Sequence, residues 1–200
     1  TFTRKARLFI FCDKAAYFQR SISNARFCAF PNGSVVISPW ALEEDRDGKI
    51  SLDIYLTHEL SHALLLQQTD LYHAYKYPHW LREGIATYSA NQMGTSFYPS
   101  KEETYRLIRQ GNFMPPEDFQ TSMEDKVKID VEYKSPFFYS EFACMVDRLV
   151  ETQGKEKFLV YMKRLLKDSD NERVFRVVFG KEFEEFVAEF KEAVSKGMPA

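Results

Sequence analysis

The feature that most limits what this chain can fold into is a long stretch without proline or glycine, Leu52–Gln68, in which apolar side chains are dense. Such a stretch predicts an α-helix, and apolar residues on most of its faces predict that the helix is buried on most sides. Ser51 stands immediately before it, where a hydroxyl side chain can cap the first backbone amides. The rest of the domain therefore has to pack around this helix.

The residues before this helix predict a small β-sheet layer. An Asn32-Gly33 pair, which favours a tight turn, stands between two short strand-forming segments, and Asp13 is placed to cap a helix after the first apolar run. The predicted strands are Arg7–Cys12, Arg26–Phe30 and Ser34–Ser38, the predicted helix spans Lys14–Ile22, and the charged segment Glu43–Lys49 is predicted to be a loop.

The residues after the helix predict further helices and two irregular segments. Ser100 followed by Glu103 is the capping-box pattern, and Ser135-Pro136 and Gly154 mark the two ends of a later helix. The predicted helices are Trp80–Asn91, Ser100–Arg109, Ser135–Gln153, Glu156–Lys167, Glu172–Phe179 and Phe183–Ser195; the irregular segments are Thr69–Pro78 and Glu124–Lys134. Helical spacing predicts core positions at Phe175, Val178, Phe179, Phe183, Phe186 and Phe190.

Composition argues against several classes of function. The 200 residues carry a net charge of −2, whereas a nucleic-acid-binding protein normally has a basic excess, so we expect no nucleic-acid partner. The longest apolar runs are far shorter than the roughly 20 residues that cross a bilayer, so we expect no membrane span within this chain.

The three cysteines form no CxxC pair. Cys12 and Cys28 could form a disulfide if their strands are neighbours, or could be buried thiols.

Within the long helix lies the pattern His58-Glu59-Leu60-Ser61-His62. Residues four apart share one helix face, so both imidazoles can point at one metal ion from a rigid backbone. Glu59 lies beside them and can reach a water molecule bound to that metal. Zinc lowers the pKa of such a water to about 7, and a neighbouring carboxylate can take its proton.

A catalytic zinc site usually has a third protein ligand. The extended HExxHxxGxxH pattern is excluded, because the chain has Leu65 and Gln68 at the positions of its glycine and third histidine. Glu83 lies on a second predicted helix, where the small residues Gly84 and Ala86 would let that helix pack closely on the first. Glu83 is the leading candidate for the third ligand. His79 and, less favourably, His73 compete with it.

The segments THELSHALL and WLREGIATY resemble the gluzincin clan of zinc metallopeptidases, in particular its compact peptidase-MA-like domains. The resemblance implies that His58, His62 and Glu83 bind zinc and that Glu59 is the general base. Thermolysin-like members have an acidic residue one turn after the glutamate ligand that orients a histidine. Thr87 occupies that position here, so Thr87 or an unidentified group would have to replace it.

The chain length predicts a single domain, residues 1–200, and the order of predicted elements predicts the α+β class. The resemblance, which covers about residues 5–195, implies that this fold is zincin-like. Its strand-rich part would span about residues 1–50, its zinc-binding helices residues 51–95, and its helical C-terminal part residues 100–195. Because the chain begins at Thr1 rather than Met, and because members of this family are often exported, we expect an extracytoplasmic or membrane-anchored protein.

The expected function is a zinc-dependent peptide hydrolase that acts on a peptide or protein substrate. Its alternatives are a catalytically silent binding module of the same fold and a hydrolase of a non-peptide amide. Tyr139, near the start of a helix, is a candidate donor to the oxyanion, or else packs in the core. Ser34–Ser38 is a candidate edge strand that would bind an extended peptide, or else an interior strand.

Overall fold

A computed structural model describes residues 4–21, 24–116 and 128–197 of the chain. These residues form a small three-stranded sheet near the N-terminus followed mainly by helices, which is the predicted α+β class. The strands are β1 (Arg7–Ile10), β2 (Phe27–Ala29) and β3 (Ser34–Ile37). The helices are α1 (Lys14–Ser21), α2 (Pro39–Arg46), α3 (Leu52–Leu66), α4 (Leu71–Lys76), α5 (His79–Ser89), α6 (Lys101–Arg109), α7 (Lys134–Gln153), α8 (Lys155–Leu165), α9 (Asn171–Phe179) and α10 (Phe183–Ser195). Ile22 of the first predicted helix, and residues 124–127 of the second predicted irregular segment, lie outside the described residues.

The sheet has the strand order β1-β3-β2, with β1 parallel and β2 antiparallel to β3. The hairpin predicted at Asn32-Gly33 is confirmed: Gly33 has a φ of 77°, and the Asn32 side chain accepts a hydrogen bond from the backbone of Ser34. The prediction that Ser34–Ser38 forms an edge strand is wrong. The backbone of β3 pairs with a strand on each side and its four residues are buried, so it has no free edge for a peptide.

The strand order also bears on the cysteines. Cys28 lies in β2 and Cys12 follows β1, so β3 separates the two strands, and they are not neighbours. Cys12, Cys28 and Cys144 form no disulfide within the described residues; Cys12 is exposed and Cys144 is buried. The alternative of buried cysteines is confirmed for Cys144 and is wrong for Cys12, which is exposed.

Helix α2 occupies much of the segment Glu43–Lys49 that was predicted to be a loop. The Ser38 hydroxyl accepts a hydrogen bond from the Ala41 amide, and Pro39 supplies the first helical residue. Serine at the N-cap followed by proline is a strong helix-start signal, and it outweighs the charge of the residues that follow. The loop begins only after Arg46, at Asp47-Gly48, where Gly48 has a φ of 69°.

The second corrected loop is Thr69–Pro78, which contains the short helix α4. Asp70 caps this helix, because its carboxylate accepts a hydrogen bond from the backbone amide of His73.

The start of α3 also differs from the prediction. Ser51 stands at its N-cap but makes no capping bond, and the Asp45 carboxylate instead accepts from the Leu52 amide.

Helices α3, α5 and α7 pack side by side, with α5 in the middle. The small residue Gly84 makes the contact between α5 and α7 close. A Cβ atom at position 84 would lie 2.6 Å from the Phe142 carbonyl oxygen, nearer than such atoms come in proteins. The sequence predicted that Gly84 allows α5 to pack closely on α3, but Gly84 faces α7 instead. The close contact at Gly84 thus fixes the position of α5, and with it that of the neighbouring residue Glu83.

The larger core lies in the C-terminal half and is rich in phenylalanine. The predicted core positions are confirmed: Phe175, Phe179, Phe183, Phe186 and Phe190 are buried, and Val178 packs against them. A smaller core connects the sheet to α2 and α3 through Phe27, Ile37 and Tyr55. Within the described ranges, no helix combines the length and the apolarity needed to cross a membrane.

Candidate metal centre

Three side chains that could bind one metal ion meet between α3 and α5. His58 and His62 lie one turn apart on α3, and Glu83 extends from α5. The two Nε2 atoms are 3.1 Å apart, and Oε2 of Glu83 lies 3.4 Å from Nε2 of His58 and 3.3 Å from Nε2 of His62. The side chains of His58 and Glu83 are each 7% exposed, and that of His62 is 13% exposed. The fold therefore brings together the three residues predicted as ligands.

The distances and the chemistry of these donor atoms fit a tetrahedral metal ion. Ligand atoms about 2.05 Å from zinc, at the tetrahedral angle, lie about 3.3 Å from one another. All three distances in the cluster are close to that value. Two imidazoles and a carboxylate suit zinc, but they also suit other divalent transition metals. The geometry therefore supports a metal site without selecting the metal.

The second oxygen of Glu83 is held by its neighbours on α5. The Arg82 Nε atom donates to Oε1 of Glu83 at 3.2 Å, and His79 Nε2 lies 3.6 Å from the same oxygen. Burial by itself would raise the pKa of Glu83, but the imidazoles of His62 and His58 hold that pKa well below its usual value. The carboxylate is thus charged, and its Oε2 atom faces the histidines.

The two competing histidines do not join this cluster. His73 lies on α4, where its Nδ1 atom is 2.8 Å from the Asp70 carboxylate. His79 lies nearest Oε1 of Glu83, which is not the oxygen that faces His58 and His62. Burial lowers the pKa of His79 to about 4. Among the described residues, only His58, His62 and Glu83 bring three such donor atoms within 4.8 Å of one another.

Glu59 lies on α3 beside the first histidine and is held against the sheet. Its carboxylate accepts a hydrogen bond from the backbone amide of Ala29 in β2. Burial raises the pKa of Glu59, while the charges of His62 and His58 oppose that rise. A carboxylate that is fixed by a backbone amide and raised in pKa is suited to accept a proton in a reaction near neutral pH.

Two tyrosines border the metal cluster. The Tyr139 ring stacks on the His58 imidazole, with centroids 6.0 Å apart and planes inclined by 23°, and the Tyr98 ring lies 6.4 Å from that of Tyr139. Burial raises the pKa of each tyrosine, and the nearby Glu83 carboxylate adds to the effect. Both hydroxyls therefore stay protonated. Tyr139 was a predicted site residue, whereas sequence reasoning missed Tyr98.

Gln92 is a second residue that sequence reasoning missed. Its Oε1 atom lies 2.8 Å from Nδ1 of His58, and its side chain is fully buried. Thr87 was the residue expected to orient a histidine ligand. It is also fully buried, but its hydroxyl has no hydrogen-bond partner within the described part of the chain. The available signal was Asn91, which ends the predicted helix and is a residue type that often reverses the chain after a helix.

A cavity of about 460 Å³ adjoins the cluster, with His62 and Arg82 in its wall. Its surface is mainly apolar and comes from α3, α5 and α8, including Leu64, Ile85 and Met162. One face of α3 is therefore open to this cavity. The prediction that α3 is buried on most sides is wrong, because only Tyr55, His58 and Ala63 of its 15 residues are buried.

No protein-family model, curated protein or solved structure gives a significant match to this chain.

Proposed function

We propose that the chain is a zinc-dependent peptide hydrolase with a zincin-like fold of the gluzincin type. The observation that carries the proposal is the cluster of His58, His62 and Glu83, whose three donor atoms are spaced as ligands of one tetrahedral ion. A buried cluster of this composition needs a partner that offsets the cost of burying its charge. The Glu59 carboxylate beside the cluster is the group that turns a binding site into a reactive one.

The residues of the chain have distinct roles in this proposal. A bound zinc ion would supply Lewis acidity, which activates water and polarises the substrate carbonyl. Glu59 takes the proton of the attacking water and passes it to the leaving amine, while the Ala29 amide keeps its carboxylate in place. The Tyr139 hydroxyl donates to the carbonyl oxygen as negative charge develops on it.

The apolar cavity beside His62 supports a substrate with a large apolar side chain. Clefts of this size and composition usually bury an apolar group next to a few polar ones. Because the cavity shares His62 and Arg82 with the surroundings of the cluster, a side chain seated there would lie next to the reacting bond. We therefore propose that the hydrolase prefers peptides with a bulky apolar residue beside the cleaved bond.

The test combines metal analysis of the purified protein with digestion of a peptide library. We expect one zinc ion per chain and cleavage that a chelator abolishes and added zinc restores. Glu59→Gln is the matched control, because it keeps shape and zinc but should lower turnover by roughly 10²–10⁴. Zinc binding without any cleavage by the wild type would favour the silent binding module, and the absence of bound metal would contradict the site itself.

A further inference from the structure

We propose that Gln92 is the residue that positions His58 for metal binding, a proposal that rests on the metal site proposed above. Its Oε1 atom lies 2.8 Å from Nδ1 of His58. An amide oxygen can only accept a hydrogen bond, so Nδ1 carries the proton and donates it. The other ring nitrogen, Nε2, then has a free lone pair, and it is this atom that faces His62 and Glu83. The contact thus sets both the protonation and the orientation that a ligand requires.

The end of helix α5 explains how Gln92 reaches His58. Asn91 adopts a left-handed conformation, with a φ of 50°, and its amide donates to the Tyr88 carbonyl. The Gln92 amide donates in turn to the Thr87 carbonyl at 3.1 Å. These two bonds form a Schellman motif, which reverses the chain at the end of a helix. The residue after the left-handed position usually makes an apolar contact back to the helix, but here it is a glutamine whose side chain reaches α3.

Gln92 is held firmly enough to act in this way. Its side chain is fully buried, and its backbone carbonyl accepts hydrogen bonds from both the amide and the hydroxyl of Thr95. These hydrogen bonds fix the backbone of Gln92, and burial restricts its side chain, so Oε1 can hold the imidazole in one orientation. His62 differs, because its Nδ1 atom has no hydrogen-bond partner among the residues that the structure describes.

Gln92 and Thr87 are competing candidates for this role, and the structure separates them. Thr87 takes part through its backbone carbonyl, which accepts the Gln92 amide, whereas its hydroxyl makes no hydrogen bond to a described residue. Removal of the Thr87 hydroxyl should therefore leave metal binding unchanged, while removal of the Gln92 amide should weaken it. An amide also adds no charge, so the neutral Gln92 leaves the charge of the site to the ion and Glu83.

The experiment measures the dissociation constant for Zn²⁺ by competition with a chromophoric chelator. Gln92→Met keeps the approximate volume and removes the acceptor, so we expect zinc affinity to fall by about 10–100-fold. Gln92→Glu restores an acceptor and should bring the affinity back to within about threefold of wild type or better. Thr87→Val is the matched control and should leave the affinity unchanged. Thermal unfolding of each variant in the presence of a chelator reports whether the fold itself is affected.

The outcomes distinguish this proposal from that of the metal site. A wild type that binds no zinc would overturn the proposed function. A wild type that binds zinc, with Gln92→Met binding it equally well, would overturn only the role of Gln92. If Gln92→Met does not fold, long-range ¹H–¹⁵N correlations of the wild type decide the question. They should show His58 protonated at Nδ1 in the metal-free protein, before Zn²⁺ can impose that state, and protonation at Nε2 would contradict the proposal.

Discussion

Tyr139 lies where the metal cluster meets the large core, and the role proposed for its hydroxyl is separate from the packing of its ring. The ring stacks on His58, so it contributes packing whatever the hydroxyl does. Burial keeps the pKa of the hydroxyl well above its usual value, so the group remains a hydrogen-bond donor throughout the working pH range. A substitution that removes only the oxygen can therefore separate the two functions.

We predict that Tyr139→Phe lowers kcat by roughly 10²–10³ and leaves zinc content and stability nearly unchanged. Steady-state kinetics on a cleaved peptide, together with metal analysis, measure both properties. Tyr98→Phe is the comparison variant, because Tyr98 lies beside Tyr139 and is also buried near Glu83. If Tyr139→Phe turns over normally while Tyr98→Phe does not, the donor is Tyr98.

Glu141 is a buried carboxyl group outside the metal site, and its titration should affect stability. The side chain is fully buried on α7, and both of its oxygens lie within 3.3 Å of the Met114 amide nitrogen. Burial raises the pKa of Glu141 well above its usual value, although the Met114 amide opposes this rise. The folded state therefore binds a proton more tightly than the unfolded chain does. The stabilisation that Glu141 provides is complete at a pH below the pKa that it has in the unfolded chain. It decreases as the pH rises towards the pKa that it has in the folded protein.

We predict that Glu141→Gln removes this pH dependence. The variant keeps an acceptor for the Met114 amide but cannot ionise, so its advantage in unfolding free energy over wild type should grow as the pH rises from 5 to 8. Urea denaturation at several pH values, with a chelator in every sample, measures the difference. An advantage that stays constant over that range would show that Glu141 has a nearly normal pKa in the folded protein.

Single residues also show how far the sequence could predict the site. His58 and His62 could be found because their spacing reflects helix geometry. Glu83 could be found because it precedes the small residue Gly84 on a second predicted helix, in a segment that resembles a known family. Gln92 could not, because its role depends on a left-handed turn at Asn91 and on the packing of α5 against α3. Thr87 occupies the expected sequence position, but its side chain bonds to no described residue.

At the scale of elements, the contact between α5 and α7 controls where Glu83 stands. Gly84 meets the Phe142 backbone so closely that a methyl group cannot be added without moving one helix. The neighbouring helix α3 carries both histidines, so a displacement of α5 would change the distance between the carboxylate and the imidazoles.

We predict that Gly84→Ala destabilises the protein by about 1–3 kcal/mol, the usual cost of overpacking, and also weakens zinc binding. Chemical denaturation and zinc competition measure the two effects. Ser89→Ala, an exposed change on the same helix, is the control and should alter neither property much. Normal stability in Gly84→Ala would mean that α5 and α7 can separate slightly without loss.

Element boundaries were predicted well where a local signal exists and poorly where two signals compete. Ser100 caps α6 as its capping pattern predicts, and α7, α9 and α10 begin or end within a residue or so of the predicted positions. The segments Glu43–Lys49 and Thr69–Pro78 were wrongly predicted to be loops, because the prediction gave more weight to their charged and aromatic residues than to the helix caps. Those caps are Ser38 and Asp70. The order of strands is set by tertiary packing, which the short apolar run Val35-Val36-Ile37 in β3 does not encode by itself.

At the scale of the whole molecule, the proposed substrate cavity depends on the C-terminal half of the chain. Helices α3 and α5 supply the metal cluster and one wall of the cavity, but α8 supplies another wall through Leu159 and Met162. The site residues thus come from the middle of the chain, while part of the proposed specificity comes from a helix that packs on the phenylalanine-rich core.

We predict that Leu159→Trp selectively impairs cleavage of peptides with a bulky apolar residue. Leu159 lines the cavity and is 38% exposed, so a larger ring should fill the space without disturbing the core. We expect kcat/KM for such peptides to fall about tenfold or more, while zinc affinity stays the same. Val160→Trp is the control, since Val160 is exposed and lines a different cavity. Equal losses for small and bulky peptides would show that the cavity does not select the substrate.

The reversal of the chain at Asn91 has a consequence for recognising related sequences. Because two backbone bonds fix the path from the end of α5 to Gln92, the number of residues between Glu83 and Gln92 cannot change without moving the amide away from His58. A relative that keeps this arrangement should therefore carry a joint signature: the HExxH pair, the glutamate followed by glycine, and, at the same interval, asparagine or glycine followed by a side chain that accepts a hydrogen bond. Such a pattern is more selective than HExxH alone, and it can be searched for in sequences too divergent for overall similarity to be detected.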